Sequence, residues 1–290
     1  MPEATVLSPV VCELGEGPSY DTRENKLFWF DIVNKKLLEQ DFPDGTTVVH
    51  DLPEMASAIA DVDQGRQVVF TETGLHLRDR RSGKLSLHQP IEADDPKTRS
   101  NDARVHPSGA FWVGTMAKEE GSAKGRIWWY RAGELKMLFD GVVIPNSICF
   151  SADGATAFFA CSSAQKLWRV ACDPETGLPH DEPQVFVDGR EAEGFIDGSV
   201  IDADGVLWNA RWGGSRVDAY DAQGKLLRSI KVPASQASCP AFVGPDAGRL
   251  AVTSAWKGMS EEARAKEPLA GQTFLLPLEV KGRFEPSVVL

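Results

Sequence analysis

The stretch Asn146-Ser-Ile-Cys-Phe-Ser-Ala-Asp-Gly154, followed by Ala155-Thr-Ala-Phe-Phe159, holds one copy of a pattern that recurs six times along this chain of 290 residues. A residue is followed eight positions later by a turn glycine, and the glycine opens a run rich in β-branched and aromatic residues. Such runs, bounded by turn residues, predict strands. The turn glycines are Gly65, Gly109, Gly154, Gly205 and Gly248. The residues eight positions before them are Ser57, Asn101, Asn146, Asp197 and Pro240, and Glu16 holds the matching position before a first turn, Asp21 to Asn25, that has no glycine.

Each copy of the pattern continues into further strand-like segments across short turns such as Pro43-Asp-Gly45 and Ala222-Gln-Gly224. Four strands in each copy and a period of about 40 to 50 residues are typical of propeller blades. We therefore predict an all-β fold, a six-bladed β-propeller of four-stranded antiparallel blades, that forms a single domain over residues 1–290.

Two segments stand outside the repeated strands. Ala4 to Val11 precedes the first blade, and we expect it to pair with the last blade, because two sheet edges would otherwise be left unpaired. Ser260 to Lys266 is the helical candidate, with Ser260 as its N-cap and acidic residues in its first turn.

Composition excludes several classes of function. The net charge of −11 repels phosphate backbones, so we expect no nucleic-acid partner. No apolar run approaches the roughly 20 residues that cross a bilayer, so we expect no membrane association. The N-terminal residues show no signal peptide, and the five cysteines form no C-x-x-C pair. Reduced thiols in a cytoplasmic protein are the expectation.

Four of the six repeated positions carry oxygen donors, namely Glu16, Asn101, Asn146 and Asp197. In a propeller the first strand of every blade lines a central channel, so these residues are predicted to form one ring. Two carboxylates and two amides suit Ca²⁺, Mg²⁺ or Mn²⁺ and tolerate Zn²⁺. Any one of these residues could instead cap a turn. The shared position, together with neighbouring glycines or proline, favours a ligand site over four separate caps.

The same residues lie in stretches that resemble the senescence marker protein/gluconolactonase family, which includes regucalcin and bacterial sugar lactonases. The matching stretches run in order along the chain and include Leu14-Gly-Glu-Gly-Pro18, Arg99-Ser-Asn-Asp102, Gly114-Thr-Met-Ala117, Pro145-Asn-Ser147 and Asp197-Gly-Ser199. The resemblance implies a six-bladed propeller with one divalent metal ion, whose identity among Ca²⁺, Zn²⁺, Mn²⁺ and Mg²⁺ it leaves open.

The resemblance also implies roles for individual residues. It implies that the metal ligands are Glu16, Asn146 and Asp197, that Asp197 is the general base, and that Arg99, Asn101 and Glu119 contact the substrate. One departure stands in Phe158-Phe-Ala-Cys-Ser-Ser163, where the family often carries an acidic residue at the position of Cys161. The resemblance therefore supplies no supporting acid there.

The implied chemistry is the opening of a lactone, which is a cyclic ester. Opening needs a polarised carbonyl, which a metal ion supplies as a Lewis acid, and an activated water. Binding to a cation lowers the basicity of a carboxylate, so activation of water by the metal and activation by Asp197 stay open as alternatives. The chain has no G-x-S-x-G elbow, which disfavours a covalent serine mechanism.

The predicted function is hydrolysis of a sugar lactone, an aldono-1,4- or aldono-1,5-lactone, to the aldonic acid by metal-activated water. The predicted partner is this small molecule alone, and a monomer is expected because a propeller closes on itself. One alternative is a non-catalytic metal-binding propeller. Another is an esterase or organophosphate hydrolase on the same scaffold, but polar Arg99, Asn101 and Glu119 favour a polyol substrate.

Overall fold

The computed structural model describes residues 3–119 and 121–290, so Met1, Pro2 and Glu120 lie outside the described residues. Within the described part, antiparallel β-strands dominate the chain. The first strand is β1 Thr5–Ser8. The first four-stranded sheet comprises β2 Gly15–Asp21, β3 Lys26–Asp31, β4 Lys36–Asp41 and β5 Val48–Asp51. Leu27 to Phe30 are all buried in this sheet, which explains why the apolar and aromatic run forms a strand rather than a loop.

Three more four-stranded sheets follow in chain order. The second sheet comprises β6 Ala56–Asp61, β7 Arg66–Thr71, β8 Gly74–Asp79 and β9 Leu85–Pro90. The third comprises β10 Thr98–Val105, β11 Phe111–Ala117, β12 Arg126–Arg131 and β13 Glu134–Asp140. The fourth comprises β14 Pro145–Phe150, β15 Thr156–Cys161, β16 Lys166–Ala171 and β17 Gln184–Asp188, with a short 3₁₀ turn at Ser162–Ala164.

The remaining strands form one eight-stranded sheet. They are β18 Phe195–Ile201, β19 Leu207–Trp212, β20 Arg216–Tyr220, β21 Leu226–Lys231, β22 Gln236–Val243, β23 Arg249–Ala255 and β24 Thr273–Leu275, joined by β1. The sequence predicts six separate four-stranded sheets, whereas the structure has four of them and this larger one. The two expected sheets are joined into one because β19 and β22 pair at a single position, Trp212 with Gln236.

Both predictions for the outlying segments are confirmed. Strand β1 pairs antiparallel with β24, so the N-terminal run does complete the last group of strands. The helix α1 Glu261–Lys266 has Ser260 as its N-cap, whose side chain accepts a hydrogen bond from the backbone N–H of Ala263 at 3.2 Å.

The strands divide into two compact units. Unit 1 covers residues 1–53 and 191–284, and unit 2 covers residues 54–190 and 285–290. The core of unit 1 includes Trp208, Phe242 and Phe274. In unit 2, Trp112 and Phe150 pack edge to face with ring centroids 5.3 Å apart. Tryptophan thus serves mainly as core packing, in agreement with its predicted position inside strands.

Candidate active site

The first strands, β2, β6, β10, β14, β18 and β22, share a backbone irregularity that positions the predicted site residues. Each first strand shifts its register against the next strand of its sheet, a feature called a β-bulge. The shifts fall between Glu16 and Ser19, Ala56 and Ala58, Ser100 and Ala103, Asn146 and Cys149, Ile196 and Ser199, and Ala237 and Pro240. Bulges turn a side chain out of the regular alternation and are common beside active sites.

The predicted site residues occupy two different places at these bulges. Asn101 and Asp197 lie within their bulges. Glu16 and Asn146 directly precede theirs, and the next residue in each case has a left-handed backbone, with φ of 55° at Gly17 and 57° at Ser147. Counting eight residues back from a turn glycine cannot show whether a residue lies within a bulge or just before it, because the count takes no account of the extra residue of a bulge.

The count also misplaces one repeated position. Pro240 pairs with Val252 beyond the bulge, and Ser238 and Cys239 fill the bulge itself. Ser57, by contrast, lies within its bulge, as Asn101 and Asp197 do. The repeated position of β22 is therefore held by a small polar residue rather than by proline.

Three predicted residues of unit 2 are brought together by direct hydrogen bonds. The guanidinium Nη1 of Arg99 donates to Oδ1 of Asn101 at 2.9 Å, and Nδ2 of Asn101 donates to Oδ1 of Asn146 at 3.0 Å. These side chains are only 6%, 9% and 6% exposed, respectively. Burying such polar groups is costly unless they are hydrogen-bonded to one another, and the network satisfies this requirement.

The orientation of the Asn146 amide follows from its second partner. Its Nδ2 donates to the hydroxyl of Ser162 at 2.9 Å, so its Oδ1 points to the side of Asn101. A carbonyl oxygen has two lone pairs, so the contact with Asn101 is compatible with a cation at the same atom. Asn146 thus has the donor type that a divalent cation requires.

Glu119 stands apart from this buried network. It is exposed and lies just beyond the end of β11. The backbone N–H of Lys118 donates to the carbonyl of Lys97 at 2.8 Å, which extends the β10–β11 pairing by one step. Glu119 therefore lies at the end of the third sheet where Arg99 also lies, close to the start of β10.

The other two predicted residues, Glu16 and Asp197, belong to unit 1. Strand β22 packs between β2, which carries Glu16, and β18, which carries Asp197. The Asp197 side chain is buried, while Glu16 is half-buried and accepts a hydrogen bond at Oε2 from the backbone N–H of Gly17 at 3.1 Å.

Small residues let these strands of unit 1 approach closely. A Cβ atom placed on Gly198 would stand 2.4 Å from the sulfur of Cys239, and one on Gly15 would stand 2.4 Å from the carbonyl oxygen of Ser254. The hydroxyl of Ser238 also donates to the carbonyl of Gly15 at 2.5 Å. The glycines beside the predicted ligands are thus explained by backbone approach, as the sequence indicates.

One buried carboxylate beside the network was not assigned a role from sequence. Asp102 accepts hydrogen bonds from the backbone N–H groups of Ile148 at 2.7 Å and Ala103 at 2.9 Å. Burial raises its pKa to about 6, against the opposing influence of the Arg104 guanidinium. Its position next to Asn101 in sequence is the signal that could have drawn attention to it.

Cys161 lies on the strand next to Asn146, paired with Pro145, and its sulfur is 3.1 Å from the hydroxyl of Ser163. Burial by itself raises the pKa of this thiol, but hydrogen bonds, among them those from the backbone of Ile144 and from Ser163, outweigh burial and lower it. A thiol therefore occupies the place where the family often has an acid.

The donor types of the predicted metal set fit a hard divalent cation. Within residues 3–119 and 121–290, no group of three or more His, Cys, Asp and Glu side chains is arranged to hold a metal ion. The predicted set contains only two residues of these types, since its third ligand is the amide of Asn146, so this observation does not bear on it.

A comparison with protein families matches residues 14–256 to the SMP-30/Gluconolactonase/LRE-like region. The chain belongs to this family. The match spans most of the described strands, including every predicted site residue.

Individual relatives extend over nearly the whole chain. A Rhizobium meliloti protein that is provisionally named a sugar lactone lactonase is 45% identical, over 97% of this chain and 95% of the relative. The L-arabinolactonase of Azospirillum brasilense is 34% identical, over 94% and 91% of the two chains. The crystal structure of a calcium-binding protein, regucalcin, from Agrobacterium tumefaciens is 44% identical, with a TM-score of 0.97 over 100% of this chain and 98% of that one.

These likenesses establish an all-β, propeller-like fold for the family member described here. None of its described helices is long and apolar enough to cross a membrane.

Proposed function

We propose that this protein is a divalent-metal-dependent lactonase that hydrolyses a sugar lactone to its aldonic acid. The observation that carries the proposal is the buried network of Arg99, Asn101 and Asn146 at the bulged first strands of unit 2. Relatives over nearly the full length are named as lactonases, which supports a lactone-hydrolysing enzyme.

We also propose that the eight-stranded sheet functions as two blades, which makes six blades in the part of the chain that the structure describes. Strands β18 to β21 form one group of four, and β22, β23, β24 and β1 form the other. The single pair that joins the groups is small compared with the five-residue pairing of β19 with β20 and the six-residue pairing of β22 with β23.

For the metal, we propose Glu16, Asn146 and Asp197 as protein ligands, as the family resemblance implies. When bound, the ion would act as a Lewis acid that polarises the lactone carbonyl. The calcium-binding description of the Agrobacterium protein makes Ca²⁺ the first ion to test, and Zn²⁺, Mn²⁺ and Mg²⁺ remain candidates.

The residues themselves perform the remaining tasks. Asp197 is the proposed general base, which takes a proton from the water that attacks the carbonyl carbon. Arg99 is held by Asn101 and by the backbone carbonyl of Ser100 at 2.8 Å, so its guanidinium is oriented before substrate arrives. An oriented guanidinium can bind hydroxyl or ring oxygens with little loss of side-chain entropy. Asn101 and exposed Glu119 are the other proposed contacts to the hydroxyl groups of the lactone.

The proposed substrate is a small polyol lactone, and the protein is proposed to act as a monomer. The names of the relatives include an L-arabinolactonase and a pentonolactonase, so five-carbon lactones are the first to assay.

We propose a cytoplasmic location, because all five cysteines are free and buried, as is usual in a reducing compartment. Burial raises the pKa of Cys12 and Cys172 to about 12, which makes these two thiols unreactive.

The experiment is proton release from a panel of aldonolactones, measured with chelated protein and again after adding back each divalent ion. Metal-restored hydrolysis of one or two lactones supports the proposal, and hydrolysis at the spontaneous rate with every ion refutes it.

Asp197→Ala should abolish turnover and weaken metal binding, whereas Arg99→Ala should raise KM with the metal still bound. Asp204→Ala, an exposed carboxylate of the same unit, and Arg78→Ala, a buried arginine of unit 2, are the matched controls.

A further inference from the structure

Two carboxylates that the proposed function does not use lie beside the connection from β11 to β12, which begins with Lys118 and Glu119. Glu92 and Glu72 precede β10 and β8, respectively, and both belong to unit 2. Their side chains are only 6% and 13% exposed. A buried carboxylate is costly unless paired and hydrogen-bonded, so the partners of these two groups indicate what they do.

Glu92 bonds to the strands on both sides of the connection, β11 and β12. Its Oε1 accepts hydrogen bonds from the hydroxyl of Thr115 at 2.9 Å, Nη1 of Arg126 at 2.9 Å and Nε1 of Trp128 at 3.1 Å. Thr115 and Arg126 face each other as the last pair of β11 and β12 before the connection. One oxygen atom thus bonds to both residues of the last pair between β11 and β12, two residues before β11 ends at Ala117.

The backbone of Glu92 supports the same interpretation. Its φ of 50° is in the left-handed region, which residues other than glycine adopt only when their surroundings enforce it. The carbonyl of Glu92 accepts a hydrogen bond from the backbone N–H of Asp95 at 2.9 Å, which closes a tight turn before β10. Glu92 is therefore held by its own backbone turn while its side chain reaches the third sheet.

Glu72 holds the first residue of the connection. Its Oε2 forms an ion pair with Nζ of Lys118, and its Oε1 accepts a hydrogen bond from the backbone N–H of Met55 at 2.9 Å. The backbone N–H of Lys118 is also bonded to Lys97. Both the main chain and the side chain of the residue before Glu119 are thus anchored.

We propose that Glu72 and Glu92 are positioning residues for Glu119. They hold the start of the connection and the strand ends beside it. The otherwise exposed Glu119 carboxylate would then present its oxygens to the lactone hydroxyls, and little side-chain and loop entropy would be lost when the lactone binds. The inference rests on the proposed function, in which Glu119 contacts the substrate.

The test is a double-mutant cycle measured on the lactone that the wild-type protein hydrolyses fastest. Glu92→Gln keeps the size of the side chain and removes its charge, and we expect KM to rise about three- to tenfold. We expect kcat to change by less than about twofold, because substrate binding rather than the chemical step loses support. In a Glu119→Ala background, Glu92→Gln should produce no further rise in KM. Glu72→Gln should behave in the same way.

The control is Glu39→Gln. Glu39 is a carboxylate of similar burial that pairs with Lys26 at 2.9 Å in unit 1, and its loss should leave KM unchanged in both backgrounds. If Glu92→Gln does not fold, Glu72→Gln and Lys118→Met carry the same test.

Two results overturn the inference alone: an unchanged KM in the Glu72 and Glu92 variants, or an equal rise in KM with and without Glu119. Each would give these carboxylates a purely structural role. A wild-type protein that hydrolyses no lactone with any divalent ion instead refutes the proposed function, and the positioning role with it.

Discussion

Gly198 offers a test of how closely the first strands of unit 1 must approach. It follows Asp197 in the bulge of β18, and its backbone lies outside the left-handed region, so alanine is acceptable to the main chain itself. The difficulty is space. The added Cβ would stand 2.4 Å from Sγ, 2.6 Å from Cβ and 2.9 Å from Cα of Cys239. Comfortable contacts between such atoms lie at ~3.5–4.0 Å, so the two strands must separate by about 1 Å.

The magnitude follows from these contacts. Cys239 is 0% exposed and cannot turn towards solvent, so Gly198→Ala overpacks the core at a cost of about 2–3 kcal/mol. The reduced entropy of the unfolded chain offsets about 0.4–1 kcal/mol of this. A net loss of about 2 kcal/mol should lower Tm by about 4–8 °C. Because Asp197 moves with the displaced strand, lactone hydrolysis should also fall, by roughly 100-fold for a 1 Å displacement.

The assays are scanning calorimetry and lactone hydrolysis on Gly198→Ala beside a matched control, Gly65→Ala. The nearest atom to a Cβ on Gly65 is an oxygen of Asp63 at 3.7 Å, so this substitution should leave Tm unchanged or slightly raised. Adding Cys239→Ala to Gly198→Ala should recover part of the lost stability, because it removes the closest atom. Equal Tm values for the two glycine variants would refute the steric argument.

Three further outcomes are expected. Asp102 has a pKa of about 6 in the folded protein, against about 3.9 unperturbed. The folded state therefore binds more protons between about pH 4 and pH 6, and the stability of the wild type relative to Asp102→Asn should fall by up to about 3 kcal/mol as pH rises through this window. Urea titrations at both pH limits measure this difference, and a constant value contradicts the assignment. Ser260→Ala should destabilise α1 locally by about 1 kcal/mol, detected as faster amide exchange at Ala263, and unchanged exchange would mean that the cap bond is absent in solution. Cys161→Ser should leave kcat/KM near the wild-type value if the thiol only packs, whereas a large loss would give it a part in the reaction.

Much of the architecture could be read from the sequence, since it depends on local chemistry. Turn residues and β-branched or aromatic runs set the strands, and the regular period indicated repeated four-stranded groups. Ser260 and the acidic residues after it predicted α1, and the need to pair a sheet edge predicted that the N-terminal run joins the last group of strands, where it pairs with β24. In each case the deciding interaction lies within a few residues or follows from the need to pair a sheet edge.

The site was less completely predictable. The residue types of Glu16, Asn101, Asn146 and Asp197 indicated a cation site, but the spacing did not predict the bulges at which these residues lie. The spacing misplaced Pro240, because the number of residues in a bulge depends on how one strand packs against the next. Side-chain partners more than 15 residues away, such as Ser162 for Asn146, leave no mark on local spacing.

The sequence by itself determined the strand period, the turns and which of the first strands carry oxygen donors near their starts, because these depend on residue types and on the preferences of neighbouring residues. Only the tertiary structure decided that one pair joins two groups of strands into a larger sheet, and that Arg99, Asn101 and Asn146 form one hydrogen-bonded network. It also decided that Glu72 and Glu92 anchor the segment that carries Glu119. The physical reason is range. Hydrogen bonds and close packing act over a few ångströms of space, and most of the residues that they join here, such as Asn101 and Asn146, are separated by tens of positions in the chain.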